Sequence, residues 1–344
     1  MGRVCISGYA REVLASEDQG VSIDKSGRRL MRFARKSGKM FLKALIEAIK
    51  VSDLKLNDTD PRRMMLFFSD SMNISPDALK VAESIDALRR NCDAYSEASH
   101  VEYIADNWSV IEALQGVPNI PTFLACKEYE IHGASSTELS SCAGGLLTLI
   151  DGYELIHSGG ADIVFVGAAS EKMSFFENQI LRSMGFFGNG DYSIINGSAV
   201  IILESEEHVK KRSGKIYAFL CDYGTSFSPE TYLWRLFDIN SIRFILDRYC
   251  PNCSYLPAYV SGSFSRKLLS QELKLLSGYP FHVIESESFK SKYGYTFAAS
   301  GLMEIIHLIA NHFSGHTIVN TFAMSGQNAS VIIEINPPEG ATVA

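Results

Sequence analysis

The chain's clearest capacity for chemistry lies in Ser140-Ser141-Cys142-Ala143-Gly144-Gly145. An extended segment there runs into a helical pattern, so the Cys142 thiol meets the unpaired N–H groups and partial positive charge of a first helical turn. That field favours thiolate over thiol and makes Cys142 a candidate nucleophile. The small residues 143–145 leave room for a substrate beside the backbone. The same residues also fit a small cysteine packed in a core. Behind them Leu146, Leu147, Ile150, Tyr153 and Ile156 recur at helical spacing, and Gly159-Gly160 closes the helix.

Other reactive residues form no comparable group. Cys250-Pro-Asn-Cys253 has the spacing of a redox pair or half a zinc site. No second pair or nearby histidine couple completes a cage, so a loop is the better reading and no metal is expected. Histidines stand at 100, 132, 157, 208, 282, 307, 312 and 316, and the spacing of His307 and His312 does not put both on one helix face. Which histidine, if any, reaches Cys142 is not written in the spacing. The glycines from 185 to 197 match neither nucleotide fingerprint, so no cofactor is expected.

A chain of 344 residues exceeds what one core usually covers, and two domains or a duplicated one are expected. The apolar fraction of 46% and charged fraction of 21% are those of a soluble globular protein. A net charge of -7 argues against nucleic acid as the main partner. Seven scattered cysteines fit reduced thiols in a cytosol better than a disulfide framework. With no signal-like start and no apolar run of membrane-spanning length, a soluble cytoplasmic protein without membrane contact is expected.

The elements that must position Cys142 alternate between strand and helix. A strand at 4–7 and a polar loop at 8–22 precede a helix at 23–49. This helix has Leu30, Phe33, Phe41, Leu42, Leu45 and Ile49 on one side and Arg28, Arg29, Arg32, Arg35, Lys36 and Lys39 on the other. Such a cationic run is either a solvated face or a docking site. A strand at 64–68, a helical region at 76–114, a helix at 123–132, an extended stretch at 135–141 and strands at 163–166 and 199–203 follow. After a charged segment at 208–213, a second half begins near 216, with helices at 232–249 and 298–312, strands near Tyr259 and His282, and two closing strands at 317–322 and 329–335. Asn196-Gly-Ser-Ala-Val-Ile-Ile-Leu-Glu204 echoes Gln327-Asn-Ala-Ser-Val-Ile-Ile-Glu-Ile335, which predicts two related α/β halves.

With these segments in order, the chain resembles the β-ketoacyl synthase family of the thiolase superfamily. SSCAGGLLTLIDGYELIHSGGADIVFVGAASE is similar to the family's nucleophile elbow and following strand, and GNGDYSIINGSAVIILESEEHVKKRSGKIYA to its crossover. FKSKYGYTFAASGLMEII is similar to the Lys-Ser-x-x-Gly-His motif, NTFAMSGQNASVII to the Asn-Ser-Phe-Gly-Phe-Gly-Gly turn, and SGRRLMRFARKSGKMFLKALIEA to the Arg-rich helix. The resemblance implies an α/β, thiolase-like layered αβαβα fold of two duplicated halves, 1–213 and 214–344. It also implies that Cys142 is the acyl-accepting cysteine, vestigial or active.

The departures from the family pattern shape the expected function. Ser261 and Tyr295 stand where the family has its two histidines, while Lys290, Gly294 and Glu304 remain. Those histidines stabilise the enolate formed when a malonyl group loses carbon dioxide. Loss of one such donor commonly costs about a hundredfold to a thousandfold in rate. The Gly-Phe-Gly gate beside the cysteine is Ala323-Met324-Ser325 here. The pattern resembles the chain-length factor of type II polyketide synthases, a non-condensing ketosynthase-like subunit that pairs with an active ketosynthase as a heterodimer and shapes the chain tunnel. The usual factor has lost its cysteine, whereas this chain keeps Cys142. The resemblance further implies docking of an acyl carrier protein, bearing a phosphopantetheine-linked chain, at Arg28, Arg29 and Arg32. It implies a partner strand pairing with 135–141, and Phe123 and Leu124 as tunnel residues. The alternative is an acyltransferase or unusual ketosynthase with Cys142 as nucleophile.

Overall fold

A computed structural model of the chain describes residues 2–14, 31–71, 86–87, 90, 96, 98, 101–102, 110–173, 175–183, 185, 187–188, 191–227, 258–277, 282–284 and 287–335. The expected helix at 232–249, the Cys250–Cys253 pair, Arg28 and Arg29 lie outside these residues.

Ten strands form one sheet: β1 (Val4–Leu14), β2 (Met64–Asp70), β3 (Ser135–Glu138), β4 (Ile163–Ser170), β5 (Asn196–Ser205), β6 (Ala218–Phe227), β7 (Ala258–Val260), β8 (His282–Val283), β9 (Gly315–Phe322) and β10 (Gln327–Ile335). Their order is β3-β2-β4-β5-β1-β6-β10-β9-β7-β8. The first five strands and the last five have the same order and the same directions. In each half two parallel pairings are followed by two antiparallel ones. Within the sheet, the described residues of the two halves pair where Val4, Cys5 and Ile6 meet Leu220, Phe219 and Ala218.

Strand alternation distributes side chains between two layers of core. Val164, Val166 and Ala168 of β4 and Ala199, Ile201 and Leu203 of β5 face a central core shared with Val319, Val331 and Ile333 of the second half. Phe165, Val200 and Ile202 face the other way, into a core with Phe41, Leu45 and Ala48 of helix α1 (Lys36–Ser52) and Leu124 of α2 (Ile120–Glu128). Between the halves lie α3 (Gly144–His157) and α6 (Ser300–Ala310), whose Leu146, Leu149, Leu302 and Ile305 fill the central core. A Cβ added at Gly145 would stand 2.5 Å from the Ala298 carbonyl oxygen, and one at Gly301 would stand 2.5 Å from Leu146 Cγ. The two central helices therefore approach at a point where neither tolerates a side chain.

Several boundaries differ from the sequence expectation. β1 continues to Leu14 through what reads as a polar loop, because its backbone pairs with β5 from Val4↔Ser205 to Leu14↔Asn196. α2 begins at Ile120, with Pro121 in the first turn where its missing N–H costs nothing. The echo between the closing strands is also shifted by one residue. Bulges at Ser7 in β1 and Cys221 in β6 fall at matching places in the two halves, and they set Glu204 equivalent to Glu334. This register keeps Leu203 and Ile333 on the core face, and the register suggested by the letters would turn one strand over.

Candidate functional site

β3 leads into a single 3₁₀ turn, Ser141–Ala143, which runs directly into α3. Ser141 has φ +51°, an uncommon conformation for a residue with a side chain, and this sharp turn holds Cys142 at the helix start. The second half repeats the device. Phe297 has φ +40° in the turn Phe297–Ala299, which precedes α6, so Ala298 is the counterpart of Cys142 and only one of the two elbows carries a thiol.

Cys142 is fully buried within Phe187, Tyr192, Phe264, Leu268, Tyr295 and Phe297. Phe297 packs edge-on against both Tyr295 and Phe187, with ring centroids 5.3 and 6.3 Å apart. The polar groups acting on the thiol are the Tyr295 phenol, Ser141 Oγ at 3.6 Å, and the backbone N–H groups of Met324 and of Cys142 itself. Burial outweighs all of them and pushes the thiol above its ordinary value. The depressed thiolate expected from the helix terminus is therefore not formed, because the apolar shell removes the water that would share the charge.

Tyr295 is equally buried. Burial first, and then the adjacent thiol, drive its phenol well above the ordinary value, so it remains protonated. Its hydroxyl acts on the thiol without completing a well-aligned hydrogen bond to any described residue. Of Ser261 and Tyr295, the two residues the sequence resemblance sets at the family's histidine positions, Tyr295 faces Cys142.

The other position does not. Ser261 Oγ donates to Glu272, a buried carboxylate on α4 (Arg266–Leu275). The same carboxylate accepts from Tyr259 Oη, from Ser263 Oγ at 2.6 Å and from the Gly262 N–H at 3.2 Å. Ser263 N–H also donates to Ser261 Oγ at 3.0 Å. Ser261 is thus committed to a polar hub, not to the thiol. Glu272 was not singled out from the sequence, although Leu268, Glu272 and Leu276 recur at four-residue spacing and all three are buried. A carboxylate inside an apolar helical stripe is the signal that could have found it.

Lys290 and Glu304 hold backbone around this hub. Lys290 Nζ donates to the Ser261 carbonyl and lies 5.5 Å from the Tyr192 ring centroid. Glu304 accepts the N–H groups of Phe289 at 2.6 Å and Lys290 at 3.1 Å, so it caps the short helix α5 (Phe289–Lys292).

Ala323, Met324 and Ser325 form the β9–β10 turn, closed by Ala323 N–H to Gln327 O at 2.8 Å and Gly326 N–H to Ala323 O at 3.0 Å. Ala323 is buried, Met324 is half-buried against the aromatic shell, and Ser325 is exposed. Two N–H groups converging from separate elements on one sulfur are the arrangement that stabilises an oxyanion formed on an acylated thiol.

The remaining expected residues lie elsewhere. Arg32 is exposed, with its guanidinium 4.7 Å over the Phe33 ring and its carbonyl accepting from Gln115 at 2.8 Å. Phe123 is 57% exposed, and Leu124 fills the core beneath α1, so neither reaches the shell around Cys142 as tunnel residues there would. Among the described residues no histidine acts on the thiol. His307 is held by the Glu287 carbonyl at 2.9 Å, Arg11 at 3.3 Å and Asn311 at 3.1 Å. Among the described residues no helix is long and apolar enough to cross a membrane.

No family model matches the chain. It is 31% identical over 117 residues to a mitochondrial 3-oxoacyl-[acyl-carrier-protein] synthase of Arabidopsis thaliana, covering 29% of this chain and 25% of that protein. It is 30% identical over 114 residues to 3-oxoacyl-[acyl-carrier-protein] synthase 1 of Haemophilus influenzae, covering 28% of each. The matched stretches thus span little more than a quarter of these relatives. Solved structures align over far more. A type II polyketide ketosynthase in complex with its acyl carrier protein superposes with TM-score 0.73 at 17% identity, over 97% of this chain and 99% of that one. The ishigamide ketosynthase/chain length factor gives 0.74 at 14%, over 97% and 99%. A β-ketoacyl synthase of Burkholderia phymatum gives 0.73 at 15%, over 97% and 100%.

The fold is thiolase-like, that of the ketosynthases. On this fold the elbow carries Cys142, with the Tyr295 phenol and the backbone N–H groups of Met324 and Cys142 acting on its sulfur.

Proposed function

We propose that the chain is a non-condensing ketosynthase-like subunit, of the chain-length-factor kind, that pairs with an active ketosynthase in a type II polyketide synthase. The observation that carries this reading is the geometry around the elbow: the buried Cys142 thiol faces the Tyr295 ring, and Ser261 Oγ is turned away to Glu272. Decarboxylative condensation needs a thiolate to take the acyl chain and acidic donors to stabilise an enolate. Here Tyr295 is a weak acid and Ser261 Oγ is turned to Glu272. Both steps are disfavoured, while the packed shell can still border a chain.

A docking edge supports the heterodimer. Among the described residues β3 ends the sheet with only β2 beside it, and the Thr122 and Thr137 hydroxyls, 2.6 Å apart, tie α2 to that edge, next to exposed Phe123. An edge strand beside an exposed aromatic is suited to pairing with another chain. The active subunit would then supply the imidazoles, and the carrier protein would dock at the cationic approach to α1 that includes Arg32.

The test is co-expression with a ketosynthase encoded beside it, followed by native mass spectrometry and product assay. A mixed dimer that condenses, together with an isolated chain that does not, is expected. A stable homodimer that joins malonyl and acyl units at an ordinary enzymatic rate would overturn the proposal. The N–H pair at the thiol favours a second reading, acyl transfer through Cys142. Turnover of a Cys142 acyl adduct after incubation with acyl carrier protein would select it.

A further inference from the structure

We propose that Cys221, His316 and Glu334 form a binding site for a borderline-soft divalent cation, with zinc the best chemical match. The three residues lie on neighbouring strands in the sheet order β6-β10-β9. His316 and Glu334 are directly opposed in the β9–β10 ladder. Cys221 occupies the β-bulge opposite the step from Ile332 to Ile333, and the bulge brings its side chain to theirs. One ligand atom from each lies within 4.8 Å of the other two, and all three residues are partly buried. A thiolate, an imidazole and a carboxylate are the donor types zinc accepts, and three protein ligands leave a fourth position open to water or another ligand.

The first half of the molecule shows what the same place looks like without a thiol. Its equivalent bulge carries Ser7, and its equivalent carboxylate, Glu204, is closed off by Arg212 at 2.6 and 2.9 Å and His208 at 2.5 Å. That is an ion-pair cluster. In the second half the hydroxyl has become a thiol and the strand residue facing the carboxylate has become His316 in place of Ile163. The corresponding cation is Arg3, which pairs with Glu334 and stacks 3.5 Å over the Phe219 ring. Unlike Arg212, whose side chain is 19% exposed, Arg3 has a side chain that is 49% exposed and can swing into solvent when a metal ion takes its place.

Binding replaces the sulfur-bound proton with a metal bond and releases that proton to water, with no change of oxidation state. Arg3 competes with the ion for the same carboxylate. Removing the guanidinium should therefore tighten binding, a response opposite to that of a purely structural ion pair.

The experiment is titration of the full-length chain with Co²⁺, followed through the thiolate-to-cobalt charge-transfer band and by competition with Zn²⁺. A background carrying Cys250→Ser and Cys253→Ser removes the other cysteine pair with metal spacing. One Co²⁺ per chain with a charge-transfer band is expected. Cys221→Ser should abolish the band, His316→Gln should weaken binding by an order of magnitude or more, and Arg3→Gln should strengthen it. Serine is the side chain the first half already carries in this bulge, so the Cys221 variant is expected to fold. Should it fail to fold, His316→Gln with its circular dichroism unchanged carries the test. Absence of a thiolate-to-cobalt band in the parent, or a band and affinity untouched by both variants, overturns the proposal.

Discussion

Glu272 offers the sharpest test of how the site is held. It is fully buried and accepts four hydrogen bonds, from the hydroxyls of Tyr259, Ser261 and Ser263 and the N–H of Gly262. Glu272→Ala strands all four donors and opens a cavity. Each orphaned buried donor costs about 1–3 kcal/mol, but hydroxyls can rotate toward other acceptors and the Gly262 N–H cannot. With at least two of the four donors left unpaired, the expected loss is about 2–6 kcal/mol. Glu272→Gln keeps the shape and replaces one oxygen with a donor that meets donors, for a smaller loss of about 1–3 kcal/mol. Equilibrium urea unfolding followed by circular dichroism reads both values. A Glu272→Ala protein within about 1 kcal/mol of the parent would refute the claim that this carboxylate fixes Ser261 away from the thiol.

Other outcomes follow from the same geometry. Cys142 should alkylate slowly at neutral pH, with a rate that climbs only above the range of an ordinary thiol, and Tyr295→Phe should slow it further by removing a donor to the thiolate; intact-mass kinetics against pH read both. Phe123→Asp should weaken association with a ketosynthase partner while leaving the unfolding curve of the isolated chain unchanged, as measured by native mass spectrometry and urea titration. Asp70 gives a pH signature. Burial, against the opposing effects of Arg35 and Ser37, raises its carboxyl to about 7. Its favourable contribution to folding is therefore full below the unfolded carboxyl's value of about 3.9 and is lost as pH rises through about 7. Asp70→Asn should flatten that decline in unfolding free energy.

What the sequence revealed and what it hid divide along physical lines. The elbow was legible because a cysteine followed by small residues and a 3.6-residue apolar period is a local signal. The alternation of strand and helix was legible from apolar runs such as 163–166, which the structure extends to the strand Ile163–Ser170. The Ser261–Glu272 bond was not, because side-chain direction inside a polar hub depends on partners brought together by tertiary folding. Local helix reasoning also gave the wrong sign for the Cys142 thiol, since the water-excluding rings come from residues 187, 264 and 297. The repeat between the halves was visible in its letters but off by one in register. Matching letters ignored the alternation that must keep Leu203 and Ile333 inward.

The close packing of Gly145 on Ala298 and of Gly301 on Leu146 sets a mechanical limit on any chamber at Cys142. With backbone and methyl groups of one half resting directly on the central helix of the other, the halves cannot part to admit a longer occupant. Extra room at the elbow comes from exchanging side chains of the shell, such as the rings of Phe187, Phe264 or Phe297, for smaller groups. In a fold packed this way, the size of anything held at the elbow is set by side-chain volume at those positions.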